Sequence, residues 1–83
     1  MDSSAEEIRE LVENIVVPLV DDQEAVHVDA ELEGSNLTIM IDAPSDELGK
    51  VIGRQGRVIK AIRTLARAAA TRKELMVDVD LND

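Results

Sequence analysis

The sequence predicts a single α+β domain in which a three-stranded mixed sheet carries three helices on one face. Two observations lead there. Apolar residues recur at helical spacing in some stretches and alternate strictly in others, and the stretches follow the order helix, strand, strand, helix, helix, strand. The two strands in the middle of the chain are separated only by turn residues, whereas two helices intervene before the last strand, so antiparallel and parallel pairing are both expected.

The first helix opens at Ser4-Ala5-Glu6-Glu7, the spacing of a capping box in which Ser4 and Glu7 satisfy otherwise free backbone N–H groups. Ala5, Ile8, Leu11, Val12, Ile15 and Leu19 then recur at helical spacing, with Glu6, Glu10 and Glu13 outward. Pro18 disfavours helical geometry at Val17, which predicts a break or kink there. Residues 26–33 alternate: Val26, Val28, Ala30 and Leu32 face one way, His27, Asp29, Glu31 and Glu33 the other. Gly34-Ser35-Asn36 supplies a turn, after which Leu37, Ile39 and Ile41 alternate with Thr38, Met40 and Asp42, completing a hairpin with one buried face. Ala43-Pro44-Ser45 ends it, and Ser45 or Asp46 caps a short helix running to about Ile52. A longer helix covers residues 56–71. Leu75, Val77, Val79 and Leu81, alternating with Met76, Asp78 and Asp80, form the last strand, which the two-helix crossover brings parallel to the second.

Composition narrows the function. Eighty-three residues make one domain, 1–83, near the size at which a single core is marginal. With no Cys there is neither a disulfide framework nor a thiolate metal site, which fits a reducing compartment. With no aromatic residue the core is aliphatic. The apolar stretches are too short to span a membrane, and the acidic N-terminus lacks the basic region of a secretory signal. A cytoplasmic domain is expected, whose thin core favours a partner or a homodimer. Thr38, Met40 and Met76, on the sheet's second face, are either a pairing surface or lightly exposed.

Enzyme chemistry finds little support. Gly49-Lys50 fails as a phosphate-binding P-loop, because Pro44 stands where its first Gly belongs and Val51 where Ser or Thr must hold magnesium. Asp78, Asp80 and Asn82 match the opening of a calcium loop, but the required Gly and Glu do not follow. His27 is the only histidine and sits among acids on a strand, with no Cys or second His to build a triad or a zinc site. No catalytic residue, metal or cofactor is expected.

The charge distribution carries more. Residues 48–73 hold eight of the nine basic residues and none of the eighteen acidic ones, so a +8 segment sits in a chain of net charge −9. On the longer helix Val58, Ile62, Leu65, Ala66 and Ala69 gather on one side, with Ile59 at the margin, and Arg57, Lys60, Arg63 and Arg67 lie opposite. A merely solvated face usually interleaves Glu with Lys to gain pairs at i, i+4; this one contains no Glu. Gly53 and Gly56 allow backbone angles closed to other residues and let a phosphodiester lie against the main chain. They lead into a helix N-terminus, where N–H groups and the dipole favour negative charge, with Lys50, Arg54 and Arg57 around it. The plain alternative is that the glycines only permit a tight turn between helices. The segregated charge favours an anion, and a nucleic-acid backbone above others.

The segment Val51-Ile52-Gly53-Arg54-Gln55-Gly56-Arg57-Val58-Ile59 resembles the signature of K-homology (KH) domains, whose glycine loop clamps a four-nucleotide single-stranded stretch. The element order resembles the type II arrangement. The chain is similar throughout to the small bacterial RNA-binding proteins of the KhpA family, including Leu48-Gly49-Lys50 before the loop and Lys60-Ala61-Ile62-Arg63 after it. The resemblance implies a type II KH domain with Gly53, Arg54, Gln55 and Gly56 on the sugar–phosphate backbone. It also implies a groove between the two helices and the adjoining strand, floored by Val51, Ile52 and Ile59, which serve equally well as core. To these the charge pattern adds Lys50, Arg57, Lys60 and Arg63. Further implications are homodimers, or pairing with a larger KH protein of the KhpB (Jag) type. Without aromatic residues, stacking is limited to Arg guanidinium planes, so weak affinity and broad sequence preference are expected. Neutralising two or three phosphates gives a log–log salt slope of roughly −1.5 to −2. The expected function is non-catalytic binding of single-stranded RNA, as an RNA chaperone or post-transcriptional regulator, with ribosome association compatible. The alternatives are a protein-interaction module that docks the same basic face on an acidic partner, and a single-stranded DNA binder.

Overall fold

Ser3 stands at the head of the first helix, and the computed structural model describes residues 3–83. Helix α1 (Ser4–Val16) buries Ile8, Val12 and Val16, one residue per turn of a single stripe. Its first turn closes through the Glu7 N–H to the Ser3 carbonyl at 3.0 Å, so the cap position lies one residue before the expected Ser4. The Glu7 carboxylate reaches instead to Lys73. Pro18 acts as expected in ending the α-helix, but it tightens the chain into a 3-10 turn (Val17–Leu19) and leaves Val17 in helical geometry. That change of pitch turns Leu19 outward, 37% exposed, and Val16 takes its expected place in the core.

Strand β1 (His27–Glu33) and strand β2 (Asn36–Asp42) pair antiparallel with Glu33 opposite Asn36, so the turn is the two residues Gly34 and Ser35. Helix α2 (Ser45–Ile52) begins after Pro44, which occupies the cap position without a side-chain bond. Ser45 is therefore its first helical residue and not its cap, and Asp46 and Glu47 lie in its first turn. Helix α3 (Arg57–Arg72) starts and ends one residue later than expected, and strand β3 (Met76–Asn82) pairs parallel with β2. The sheet order is β1-β2-β3.

One face of the sheet is apolar and covered. Val28, Leu37, Ile39, Ile41, Val77 and Val79 are buried beneath Ile8, Val12 and Val16 of α1, Leu48 and Val51 of α2, and Ile59, Ile62, Ala66 and Ala70 of α3. Each buried Val, Leu or Ile contributes about 1.5–3 kcal/mol, and these aliphatic residues make up the core. The helical cover stops short of the hairpin end: Ala30 is exposed and Leu32 is 43% exposed, although alternation placed both inward. The buried face of α3 is also rolled from the expected one. Ile59 lies near its centre, whereas Leu65 is 50% exposed. On the second face Thr38 and Met40 are half-buried and Met76 is exposed.

Each open edge of the sheet is met by an arginine from a helix. Arg9 Nη1 donates to the Val28 carbonyl of β1 at 3.1 Å, and Arg63 donates from Nε and Nη2 to the Val79 carbonyl of β3 at 3.1 and 3.0 Å. Engaging edge carbonyls in this way blunts strand-to-strand association. Among the described residues, no helix is long and apolar enough to cross a membrane.

The α3–β3 junction stores strain. Leu75 N–H returns to the Ala70 carbonyl at 2.9 Å and Glu74 N–H to the Thr71 carbonyl at 3.1 Å, a Schellman closure with Glu74 left-handed at φ 59°. A side chain costs energy in that conformation and glycine does not. Glu74→Gly is expected to stabilise the fold by about 0.5–1 kcal/mol, read as a higher urea midpoint at unchanged m.

Candidate nucleic-acid interface

Between α2 and α3 the chain reverses over residues 53–56. Gly53 N–H closes α2 on the Gly49 carbonyl at 3.0 Å, and Gly56 N–H bonds the Gly53 carbonyl at 3.1 Å. Gly53 (φ 74°, ψ 175°) is required twice over. Its φ lies outside the range that side chains favour, and a Cβ there would stand 2.8 Å from Val58 Cβ and closer still to Val58 Cγ2. Gly56 (φ 73°, ψ 17°) is left-handed but faces open space, with Ile59 Cγ2 at 4.0 Å as the nearest atom. Gln55, between them and Arg54, is also left-handed at φ 58° and exposed.

The three α-helices begin differently. The first turns of α1 and α2 contain Glu6 and Glu7, and Asp46 and Glu47, which complement the positive end of the helix dipole. The first turn of α3 contains no acidic residue and has no side-chain cap; it opens with Arg57. Arg54, Arg57 and Lys60 are exposed around it. Among the described residues Arg54 and Lys60 make no hydrogen bond or ion pair, and Arg57 reaches only the Gln55 Oε1 at 3.3 Å. Three cations and a helix N-terminus therefore face solvent together.

Two other expected contact residues are engaged elsewhere. Lys50 Nζ lies 2.5 Å from Asp21 Oδ2 and 2.6 Å from Glu47 Oε1. Glu47 is a buried acid, 4% exposed, and its second oxygen accepts the Asp22 N–H at 2.6 Å. The hydrogen bonds to Asp21 and then Glu47 raise the Lys50 pKa above the usual lysine range. Those from Lys50 and then the Asp22 backbone hold Glu47 below the usual carboxylate range. Lys50 thus fastens α2 to the segment after α1. Its Glu47 partner stood at visible i, i+3 spacing, but nothing local connected Asp21 to it, twenty-nine positions away. Arg63 is the second engaged residue, bound to the β3 edge. Of the three floor residues, Val51 and Ile59 are core and Ile52 alone is half-exposed. A cavity of about 430 Å³ between α1 and α3, lined by Ile8, Ala69 and the Glu7–Lys73 pair, lies at the opposite end of α3 from the glycine turn.

A glycine turn between two helices, crossing over an α-β-β-α-α-β mixed sheet of three strands, defines a KH domain. The family model described as KhpA/KhpB, KH domain matches residues 9–81. The RNA-binding protein KhpA of Clostridium perfringens is 42% identical over 74 residues, spanning 89% of this chain and 99% of that protein. The RNA-binding protein KhpA of Halalkalibacterium halodurans is 41% identical over 76 residues, 92% of this chain and 100% of its own length. That of Chlamydia trachomatis is 39% identical over 75 residues, 89% and 95% respectively. The chain belongs to the KhpA/KhpB family of KH-domain proteins.

The two loop glycines are expected to differ on substitution. Gly53→Ala meets both backbone strain and the Val58 side chain and lowers stability by more than about 2 kcal/mol, whereas Gly56→Ala meets strain alone and costs about 1 kcal/mol. Urea unfolding of both variants checks the order. The Glu47 clamp predicts a pH effect. A depressed carboxyl pKa contributes stability that is complete above the ordinary value of 4.5 and drains as pH falls through the lower folded value. The urea midpoint should therefore fall more steeply below pH 4.5 for the wild type than for Glu47→Gln.

Proposed function

We propose that the chain binds single-stranded RNA without catalysis, with the sugar–phosphate backbone lying across residues 53–56 and the first turn of α3. One observation carries this reading: α3 alone among the three α-helices begins with neither a side-chain cap nor an acid, and Arg54, Arg57 and Lys60 stand unneutralised around it. Cations at the positive end of a helix dipole repel it, and an arriving phosphate relieves both charges at once. The strongly acidic remainder of the chain discourages contact on other faces. The relatives' name, RNA-binding protein KhpA, supports RNA as the anion.

In this reading Gly53 and Gly56 let the backbone approach, Arg54, Arg57 and Lys60 hold phosphates, and Gln55 offers its amide. Ile52 supplies the accessible apolar surface beside the loop. Lys50 and Arg63, named as contacts from the charge pattern, act on the framework. One KH domain spans 1–83, and a cytoplasmic RNA chaperone or post-transcriptional regulator is the matching role, with ribosome association compatible. The family description, which joins KhpA with KhpB, supports a partner of the larger KhpB type beside or instead of a homodimer.

The test is anisotropy of a labelled single-stranded RNA titrated with the wild type and with Arg54→Asp/Gln55→Asp at several salt concentrations, with circular dichroism to confirm folding. Asp tolerates the left-handed conformation at position 55, so the double variant should fold. Wild-type binding with a log–log salt slope of roughly −2, for three phosphates, and its loss in the folded variant are expected. Equal binding by both proteins would place the RNA elsewhere. Equal or tighter binding of a matched DNA strand would make this a general single-strand binder.

A further inference from the structure

We infer that the nucleic-acid track continues from the glycine loop along one flank of α3 to a second pocket at Arg67, and that Arg63, between them, is a positioning residue and not a contact. The inference rests on the RNA reading above and extends it to base preference.

The geometry of α3 over β3 supports it. Arg63 stands above Val79, which it grips by the carbonyl with two hydrogen bonds. Four residues further along the helix, about 6 Å, comes Arg67. Two residues back along the antiparallel-running strand, about 6.6 Å, comes Val77. Helix and strand keep step, and at this level they enclose a concavity of about 320 Å³ lined by Arg67, Thr71, Leu75, Met76, Val77 and Asp78. Arg67 is exposed and, among the described residues, makes no ion pair or side-chain hydrogen bond. It lies on the flank that carries Arg57 and Lys60, so the unneutralised cations form a line about 15 Å long from Arg57 to Arg67.

The strand is open along this line. Met76 N–H bonds the Ser35 carbonyl and the Asn82 carbonyl accepts the Ala43 N–H, so the even-numbered residues of β3 turn their backbone groups toward the rest of the sheet. Val77 and Val79 face outward, and Arg63 takes the Val79 carbonyl. The charge of Arg63 is thereby drawn onto the protein's own backbone, where it holds α3 at a set height above the strand.

The pocket has two unlike sides. Arg67, from the helix, suits a phosphate. Asp78, from the strand, repels one but accepts a hydrogen bond from an exocyclic amine. Met76, 72% exposed, and Leu75 give an apolar wall for the face of a base. A nucleotide therefore fits in one sense, with its phosphate toward α3 and its base toward β3, and an amino-bearing base such as cytosine is preferred over uracil.

Ten-nucleotide oligocytidylate and oligouridylate, titrated over a range of salt with the wild type, Arg57→Ala, Arg63→Gln, Arg67→Ala and Asp78→Asn, test it; circular dichroism confirms each fold. Glutamine at 63 removes the charge but keeps a donor for the Val79 carbonyl. Expected are roughly fivefold weaker binding and a salt slope shallower by about 0.7 for Arg67→Ala, as for Arg57→Ala, with an unchanged slope for Arg63→Gln. The wild type should favour cytidylate, and Asp78→Asn should remove the preference. An unchanged slope in Arg67→Ala, a slope lost in Arg63→Gln, or no cytidine preference in the wild type would overturn the inference while leaving loop binding intact. Failure of the wild type to bind either oligonucleotide overturns the RNA reading itself, and this inference with it.

Discussion

Because β3 lies parallel to β2, the chain must travel back along the sheet between Asp42 and Met76 before the two can pair, and no tight turn can achieve that. The return journey is α2, the glycine turn and α3. The sixteen residues of α3 rise about 24 Å, close to the length of the seven-residue strand that follows, so a single helix returns the chain to the start of β3. The turn before α3 must be tight, and Gly53 makes it so by letting Val58 close on the backbone. The candidate interface is thus the crossover itself. A helix N-terminus left bare by that turn is a consequence of how the parallel strand is reached.

Electrostatics then sorts the basic residues into two groups. Arg9 bridges Glu6, Glu13 and the β1 edge, Lys73 pairs with Glu7 across the helices, Lys50 joins Asp21 to the buried Glu47, and Arg63 holds the β3 edge. Exposed pairs of this kind contribute little each. The Lys50–Glu47 contact differs, because Glu47 is buried and loss of its partner would leave a carboxylate out of water. Arg54, Arg57, Lys60 and Arg67 remain facing solvent on one side of α3 and its loop. In a chain of net charge −9, that unneutralised group gives the molecule a single face suited to an anion.

Much of this was legible in the linear pattern. The six elements, the hairpin turn, the parallel return of the last strand and the glycine loop all follow from periodicity and turn chemistry, because those are set by neighbours within a few residues. The departures share one cause. Leu19 and Val16 exchanged places because a 3-10 turn changes the angular step, and Leu65 gave way to Ile59 because the roll of α3 depends on how the Gly53 turn seats Val58. Leu32 alternates as a core residue does, yet no helix reaches far enough to cover it. Periodicity gives a residue its side of an element and says nothing of what lies across from it.

Charge followed the same division. By itself the amino-acid sequence determined which elements form, their order, the segregation of positive charge around a Gly-x-x-Gly turn, and a resemblance that the family match bears out. Only the tertiary structure decided which of those charges are free. Lys50 meets Asp21 and Arg63 meets Val79 through contacts that span twenty-nine and sixteen positions, made by helices laid against distant strands and turns. An ionic partner is a matter of a few ångströms in space, and the distance along the chain does not report it.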